Sequence, residues 1–126
     1  MKAKLVYTGI RVKDLEKSIE FYTKLLGMIE KGRSTIQSAS GTVVSLSSEN
    51  GTHEIELNYY TPGSKFDTAY VAGEGLDHLA FQVDDLGKAL EEAKKMGYPM
   101  VLEMKGTTSR WAYIQDPNGI YIELFA

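Results

Sequence analysis

Cysteine is absent from this 126-residue chain, so neither a disulfide framework nor a thiolate metal site is open to it. Any metal it holds must be bound through oxygen and imidazole. No run of about 18 apolar residues occurs, which excludes a membrane-spanning helix. The N-terminus has no apolar stretch of the signal-peptide kind, so the expected location is the cytoplasm. An excess of positive charge is missing as well. The formal net charge is −3, which argues against general affinity for nucleic acid. What remains is ordinary for a globular protein, with 43% hydrophobic and 25% charged residues. The length suits one domain able to bury a core without staples.

The chain repeats itself at an offset of 71 residues. Ile10-Arg11-Val12-Lys13-Asp14-Leu15 aligns with Phe81-Gln82-Val83-Asp84-Asp85-Leu86. Lys17, Ile19 and Glu20 then match Lys88, Leu90 and Glu91. Each copy reads as a strand entering a helix. Val6, Thr8, Ile10 and Val12 alternate along the first strand, which is taken to start at Leu5. Asp14 is a natural N-cap for the first helix, and Asp85 or Asp84 for the second. Leu15, Ile19, Tyr22 and Leu26 form one apolar stripe, and Leu86, Ala89, Leu90, Ala93 and Met96 another. Gly27 and Gly97 follow as helix ends where positive φ is cheap.

Strand-like runs come after each helix. Turn signals at Ser40-Gly41, Asn50-Gly51, Gly106 and Asp116-Pro117-Asn118-Gly119 divide them. The expected strands lie near 29–38, 42–48, 53–60, 99–104, 109–115 and 120–125. Each half is thus βαβββ. The predicted fold class is α+β, two βαβββ repeats forming a curved mixed sheet around a cup, with the helices packed outside. The half-modules span about 1–60 and 75–126 of a single domain, with 61–75 as linker.

Side chains two apart on a strand share a face. Tyr7 and Arg11 therefore face one way, as do His78 and Gln82, and the repeat pairs Tyr7 with His78 and Arg11 with Gln82. Glu56 and Glu123 each interrupt an otherwise apolar strand, at corresponding places in the two halves. A carboxylate there is costly unless paired or bound to a cation. A single such glutamate reads as solvent-facing, whereas two at repeat-related positions point to shared chemistry. His53, after the Asn50-Gly51 turn, reads as solvated. Glu91-Glu92 and Lys94-Lys95 read as a solvated helix face.

The stretch Tyr7-Thr8-Gly9-Ile10-Arg11-Val12-Lys13-Asp14-Leu15, continuing through Phe21-Tyr22-Thr23-Lys24-Leu25-Leu26-Gly27-Met28, resembles the opening of the glyoxalase I family of the vicinal-oxygen-chelate superfamily. Ile55-Glu56-Leu57, Leu76-Asp77-His78-Leu79-Ala80-Phe81-Gln82-Val83 and Tyr113-Ile114-Gln115-Asp116-Pro117-Asn118-Gly119-Ile120-Tyr121-Ile122-Glu123-Leu124 resemble its later motifs. The resemblance covers nearly the whole chain and is more specific for fold than for reaction.

The resemblance implies a divalent metal held by one ligand from each of four strands: His or Gln, Glu, His, Glu. By position these become Tyr7, Glu56, His78 and Glu123, so Glu56, His78 and Glu123 match and Tyr7 departs. Oxygen and imidazole ligands suit Zn²⁺, Ni²⁺, Co²⁺ or Mn²⁺. The implied activity is a metal-dependent lyase or isomerase acting on a small α-hydroxycarbonyl or thiol-adduct substrate through an enediolate. Glu123 is the first choice of base and Glu56 the second. Arg11 matches an arginine that holds a substrate carboxylate in the family. The family's partner asparagine is Tyr60 here. Arg110 and Trp111 are expected near the mouth of the cup, with Tyr7, Tyr60, Gln82 and Trp111 joining Arg11 as substrate-binding residues.

Two other functions fit the same resemblance. One is a metal-free protein of the bleomycin-resistance type that sequesters an aromatic or cationic small molecule. The other is an epimerase acting next to a thioester, against which Glu56 argues, because that family has Gln there. A homodimer is expected by resemblance alone.

Overall fold

The computed structural model describes residues 2, 6–74, 76, 78–105 and 110–126, and leaves aside the side chains of residues 38, 104 and 105. The expected strand start at Leu5, the linker end at Gly75, Asp77, the turn at Gly106 and the strand start at residue 109 lie outside the described residues. The chain divides into two units, Met1–Tyr70 and Val71–Ala126.

In the first unit, β1 (Tyr7–Arg11) is followed by α1 (Leu15–Glu20), β2 (Ile29–Ile36), β3 (Gly41–Ser47) and β4 (Glu54–Tyr60). The sheet order is β1-β4-β3-β2. β1 runs parallel to β4, and the other neighbours are antiparallel. In the second unit, β5 (His78–Gln82), α2 (Leu86–Lys95), β6 (Leu102–Lys105), β7 (Arg110–Gln115) and β8 (Tyr121–Phe125) repeat the pattern. The order β5-β8-β7-β6 is the same, with β5 parallel to β8. Each unit is therefore the expected βαβββ module, a mixed four-stranded sheet with one helix.

The repeat holds to the level of single hydrogen bonds. Asp14 accepts from the Lys17 backbone N–H at 3.1 Å, and Asp85 from that of Lys88 at 3.0 Å. These bonds satisfy donors that a helix start otherwise leaves open. Val12 N–H donates to the Asn58 carbonyl and Val83 N–H to the Phe125 carbonyl, closing each parallel pair the same way. Gly27 and Gly97 both take positive φ after their helices, at 67° and 93°.

In the first unit, Ile10, Val12, Ile55, Leu57, Val44 and Leu46 are buried with Ile19, Phe21 and Tyr22 from the helical segment. Ala112, Ile114, Ile122 and Leu124 are buried in the second unit, with Leu86 and Ala93 of α2. α1 packs on β4, and α2 on β7 and β8. Each fully buried Leu or Ile contributes about 1.5–3 kcal/mol.

Four local expectations are corrected. The first helix does not continue as a regular α-helix past Glu20, because Phe21–Leu25 forms a π-helical turn. Phe21 and Tyr22 are both fully buried, with rings 5.2 Å apart and nearly perpendicular. A regular helix turns adjacent residues about 100° apart, and the wider turn brings both inside. Val6 is 57% exposed, so the buried face of the first strand begins later than expected. Met96 closes α2 exposed rather than in its apolar stripe. The strand expected to reach residue 38 stops at Ile36 in a short 3-10 turn, and Ser40 takes the left-handed conformation before β3.

Candidate active site

Alternation along each strand separates two faces. Ile10, Ile55 and Leu57 are buried in the first sheet, while Tyr7, Gly9, Glu54 and Glu56 point to the more open side. Register arranges that open side in rows. Tyr7 stands beside Glu54 and Ser47, and Gly9 beside Glu56 and Ser45. Arg11 stands beside Asn58 and Val43. Tyr60 stands opposite Gly41.

The second sheet has equivalent rows. His78 stands beside Tyr121 and Gln115, Ala80 beside Glu123 and Tyr113, and Gln82 beside Phe125 and Trp111. Tyr7 and His78 thus occupy one register position, and Glu56 and Glu123 another. The repeat pairing expected from sequence is present in the backbone.

In the second unit the two chemically active side chains meet. His78 Nε2 lies 3.4 Å from Glu123 Oε2, one row apart. The Tyr113 hydroxyl donates to the same oxygen at 2.6 Å. The Tyr113 ring stands edge-on to His78 at 5.7 Å and to Tyr121 at 6.2 Å. Glu123 is half-buried, and the short charge-assisted bond offsets the cost of withdrawing its carboxylate from water.

In the first unit Glu56 is half-buried, as Glu123 is in the second. Gly9 opposite it leaves space, since a Cβ there would lie 4.0 Å from Glu56 Oε1 and 3.3 Å from Asn58 Nδ2. Tyr7 is 49% exposed. Asn58 Nδ2 donates to the Glu56 backbone carbonyl at 3.1 Å, bracing the strand on this face.

Arg11 is on the expected face but already engaged. Its guanidinium donates to Asp67 at 3.1 Å and to the Thr68 hydroxyl at 2.9 Å. Asp67 also accepts from the Gly63 backbone N–H at 2.7 Å, which ties the loop around it. Tyr60 packs its ring against Phe66 of the same loop, 5.5 Å between centroids. Arg110 pairs with Glu103 on the neighbouring strand, which accounts for it without a ligand. Trp111 is half-buried in β7 and Gln82 exposed at the end of β5. His53 is exposed, as expected, but its Nε2 is 2.8 Å from the Thr8 hydroxyl.

Sequence reasoning missed Tyr113 and Asp67. A signal for Tyr113 was present: a hairpin folded at Asp116-Pro117-Asn118-Gly119 places Tyr113 opposite Glu123. Asp67 carried none, because its partner lies 56 residues away across a loop.

Among the described residues no three His, Asp or Glu side chains form a group that could hold a metal. The donor chemistry is nevertheless of the right kind. An imidazole and a carboxylate converge in the second unit, and the first offers a carboxylate at the same register with space around it. Such oxygen and nitrogen donors suit a divalent first-row metal.

The sequence matches the profile of the Glyoxalase/Bleomycin resistance protein/Dioxygenase superfamily over residues 4–124. It is 34% identical to the lactoylglutathione lyase of Escherichia coli O157:H7 over 126 residues, covering 96% of this chain and 90% of that one. The lactoylglutathione lyase of Neisseria meningitidis serogroup A is 33% identical, with 95% and 88% covered. Among solved structures, the trypanothione-dependent glyoxalase I of Leishmania major superposes with a TM-score of 0.78 at 28% identity, covering 98% of this chain and 86% of that one. An antibiotic binding protein from Streptomyces sp. CB03234 shares the fold, with a TM-score of 0.75 at 18% identity, covering 98% and 95%. With two register-matched βαβββ modules and this similarity along almost its entire length, the chain belongs to the Glyoxalase/Bleomycin resistance protein/Dioxygenase superfamily and is glyoxalase I-like within it.

Proposed function

We propose that this protein is a divalent-metal-dependent lyase of the glyoxalase I type. It isomerises a small α-hydroxycarbonyl thiol adduct by moving a proton between adjacent carbons. The observation that carries this reading is the approach of His78 to Glu123, on a register position that the other unit fills with Glu56. Similarity to lactoylglutathione lyases over nearly the whole chain supports it.

Glu56, His78 and Glu123 would hold the metal, and Tyr7, at the place of the family's fourth ligand, would bind substrate. Zn²⁺, Ni²⁺, Co²⁺ or Mn²⁺ held there would supply Lewis acidity toward the substrate. The protein's own part is proton transfer and orientation. Glu123 takes the carbon-bound proton and returns it to the neighbouring carbon, with Glu56 the second candidate for that role. Arg11 binds an anionic group of the substrate once it exchanges Asp67 for the ligand. Tyr60, Gln82 and Trp111 border the substrate on the open faces of their sheets. The functional unit is a homodimer in the cytoplasm.

The direct test is turnover. Purified protein loaded with each metal is expected to convert the hemithioacetal of an α-ketoaldehyde and a thiol, and His78→Ala to lose that activity. Absence of turnover with every metal and thiol would reject the reading.

The aromatic side chains Tyr7, Tyr113 and Tyr121 on the open faces favour a second reading, a metal-free binder of small aromatic or cationic molecules. Tight binding of such a ligand by metal-stripped protein, without turnover in any metal-loaded form, would favour it over the lyase.

A further inference from the structure

Glu123 and Glu56 share a register position, yet their neighbours differ. Opposite Glu123 on the antiparallel side is Tyr113, and opposite Glu56 is Ser45. The tyrosine reaches across the strand gap and donates to Glu123 Oε2 at 2.6 Å. Its ring stands edge-on to both His78 and Tyr121. The same Oε2 is the atom 3.4 Å from His78 Nε2. Both contacts therefore fall on one oxygen, and among the described residues Oε1 takes no hydrogen bond.

We propose that Tyr113 is a positioning residue for Glu123: its hydroxyl holds Oε2 and presents Oε1 as the oxygen that receives the substrate proton. The proposal rests on the lyase reading for its chemistry and on the strand geometry for its structural half. A carboxylate free to rotate exchanges its two oxygens, so only part of its population is aligned for transfer. A short charge-assisted bond to one oxygen removes that freedom before substrate arrives. Glu56, with serine opposite it, lacks this hold. The asymmetry between two otherwise equivalent modules selects Glu123 as the base.

Tyr113→Phe removes the hydroxyl and keeps the ring beside His78 and Tyr121. In metal-free protein carrying ¹³C-carboxyl glutamate, the Glu123 resonance, assigned through Glu123→Gln, is expected to shift in Tyr113→Phe. In the metal-loaded enzyme the variant is expected to lose about tenfold in kcat with KM within about twofold, the pattern of a defect in the chemical step and not in substrate binding. An unshifted carboxyl resonance, or wild-type kcat in a folded variant, would overturn the proposal. A parallel loss of thermal stability and metal affinity that accounts for the lost rate would reduce Tyr113 to a structural role and would overturn it too. Wild-type protein without turnover in every metal form rejects the lyase reading and the proton-accepting role of Oε1 with it. The carboxyl resonance still decides, separately, whether Tyr113 holds Glu123.

Discussion

Gly41 stands directly opposite Tyr60, and nothing larger fits there. A Cβ on Gly41 would sit 2.9 Å from the Tyr60 ring and 3.0 Å from the Tyr59 backbone oxygen. The same ring lies against Phe66 on the loop that carries Asp67. One glycine thus decides where an aromatic side chain of the open face rests.

Gly41→Ala is expected to destabilise the protein by about 1–3 kcal/mol, because the backbone oxygen cannot move aside as a flexible side chain would. Urea denaturation measures this. Gly32→Ala, where a Cβ would meet nothing within 4 Å, is the control and is expected to change stability little. Equal stability of the two variants would contradict the packing described.

Asp67→Asn tests whether Arg11 is held in reserve. The Arg11 and Asp67 side chains are 26% and 35% exposed, so water screens the pair and its loss costs at most about 1 kcal/mol of stability. The released guanidinium is expected to lower KM for an anionic substrate by roughly two- to tenfold. Arg11→Ala is expected to raise it. Kinetics with charged and uncharged substrates separate these effects, and an unchanged KM in both variants would remove Arg11 from substrate binding.

Asp85 gives a pH dependence with a definite sign. The Lys88 backbone N–H is the main influence holding its carboxyl below the ordinary value of 3.8. Desolvation opposes this, and the Lys88 ammonium adds to it. A group whose folded value is depressed stabilises above its unfolded value and loses that contribution as pH falls through the folded one. Asparagine also caps helices but carries no charge. The melting temperature of the wild type is therefore expected to exceed that of Asp85→Asn near neutral pH, with the gap closing below the ordinary carboxylate value. A gap that stays constant even below that value would show that the charge contributes nothing.

Much of this architecture is legible in the chain. The repeat at Ile10 and Phe81, the aspartates at 14 and 85 and the glycines at 27 and 97 are local signals. Local signals set strands, caps and turns. The pairing of Glu56 with Glu123 follows once the alternation is read in both halves. Other features depend on contacts distant in sequence. The π-helical turn at Phe21–Leu25, which carries two adjacent buried rings, is not expressed by helical periodicity. Asp67 finds Arg11 only after the loop folds back. Tyr113 differs from these, since the hairpin at Asp116–Gly119 already sets it opposite Glu123. Val6 and Met96 have apolar side chains, but their elements end beside them and leave them exposed.

The proposed lyase needs Glu56, His78 and Glu123 to act as one donor set. Titration of metal-stripped protein with Ni²⁺ or Zn²⁺ by calorimetry tests it most directly. Such a donor set predicts one tight site per chain in the wild type, and loss of that site in each of His78→Ala, Glu56→Gln and Glu123→Gln. It also predicts about tenfold or greater tightening in Tyr7→His, because imidazole is a better ligand than a neutral phenol. No metal uptake by the wild type, or uptake untouched by all three losses, would contradict it.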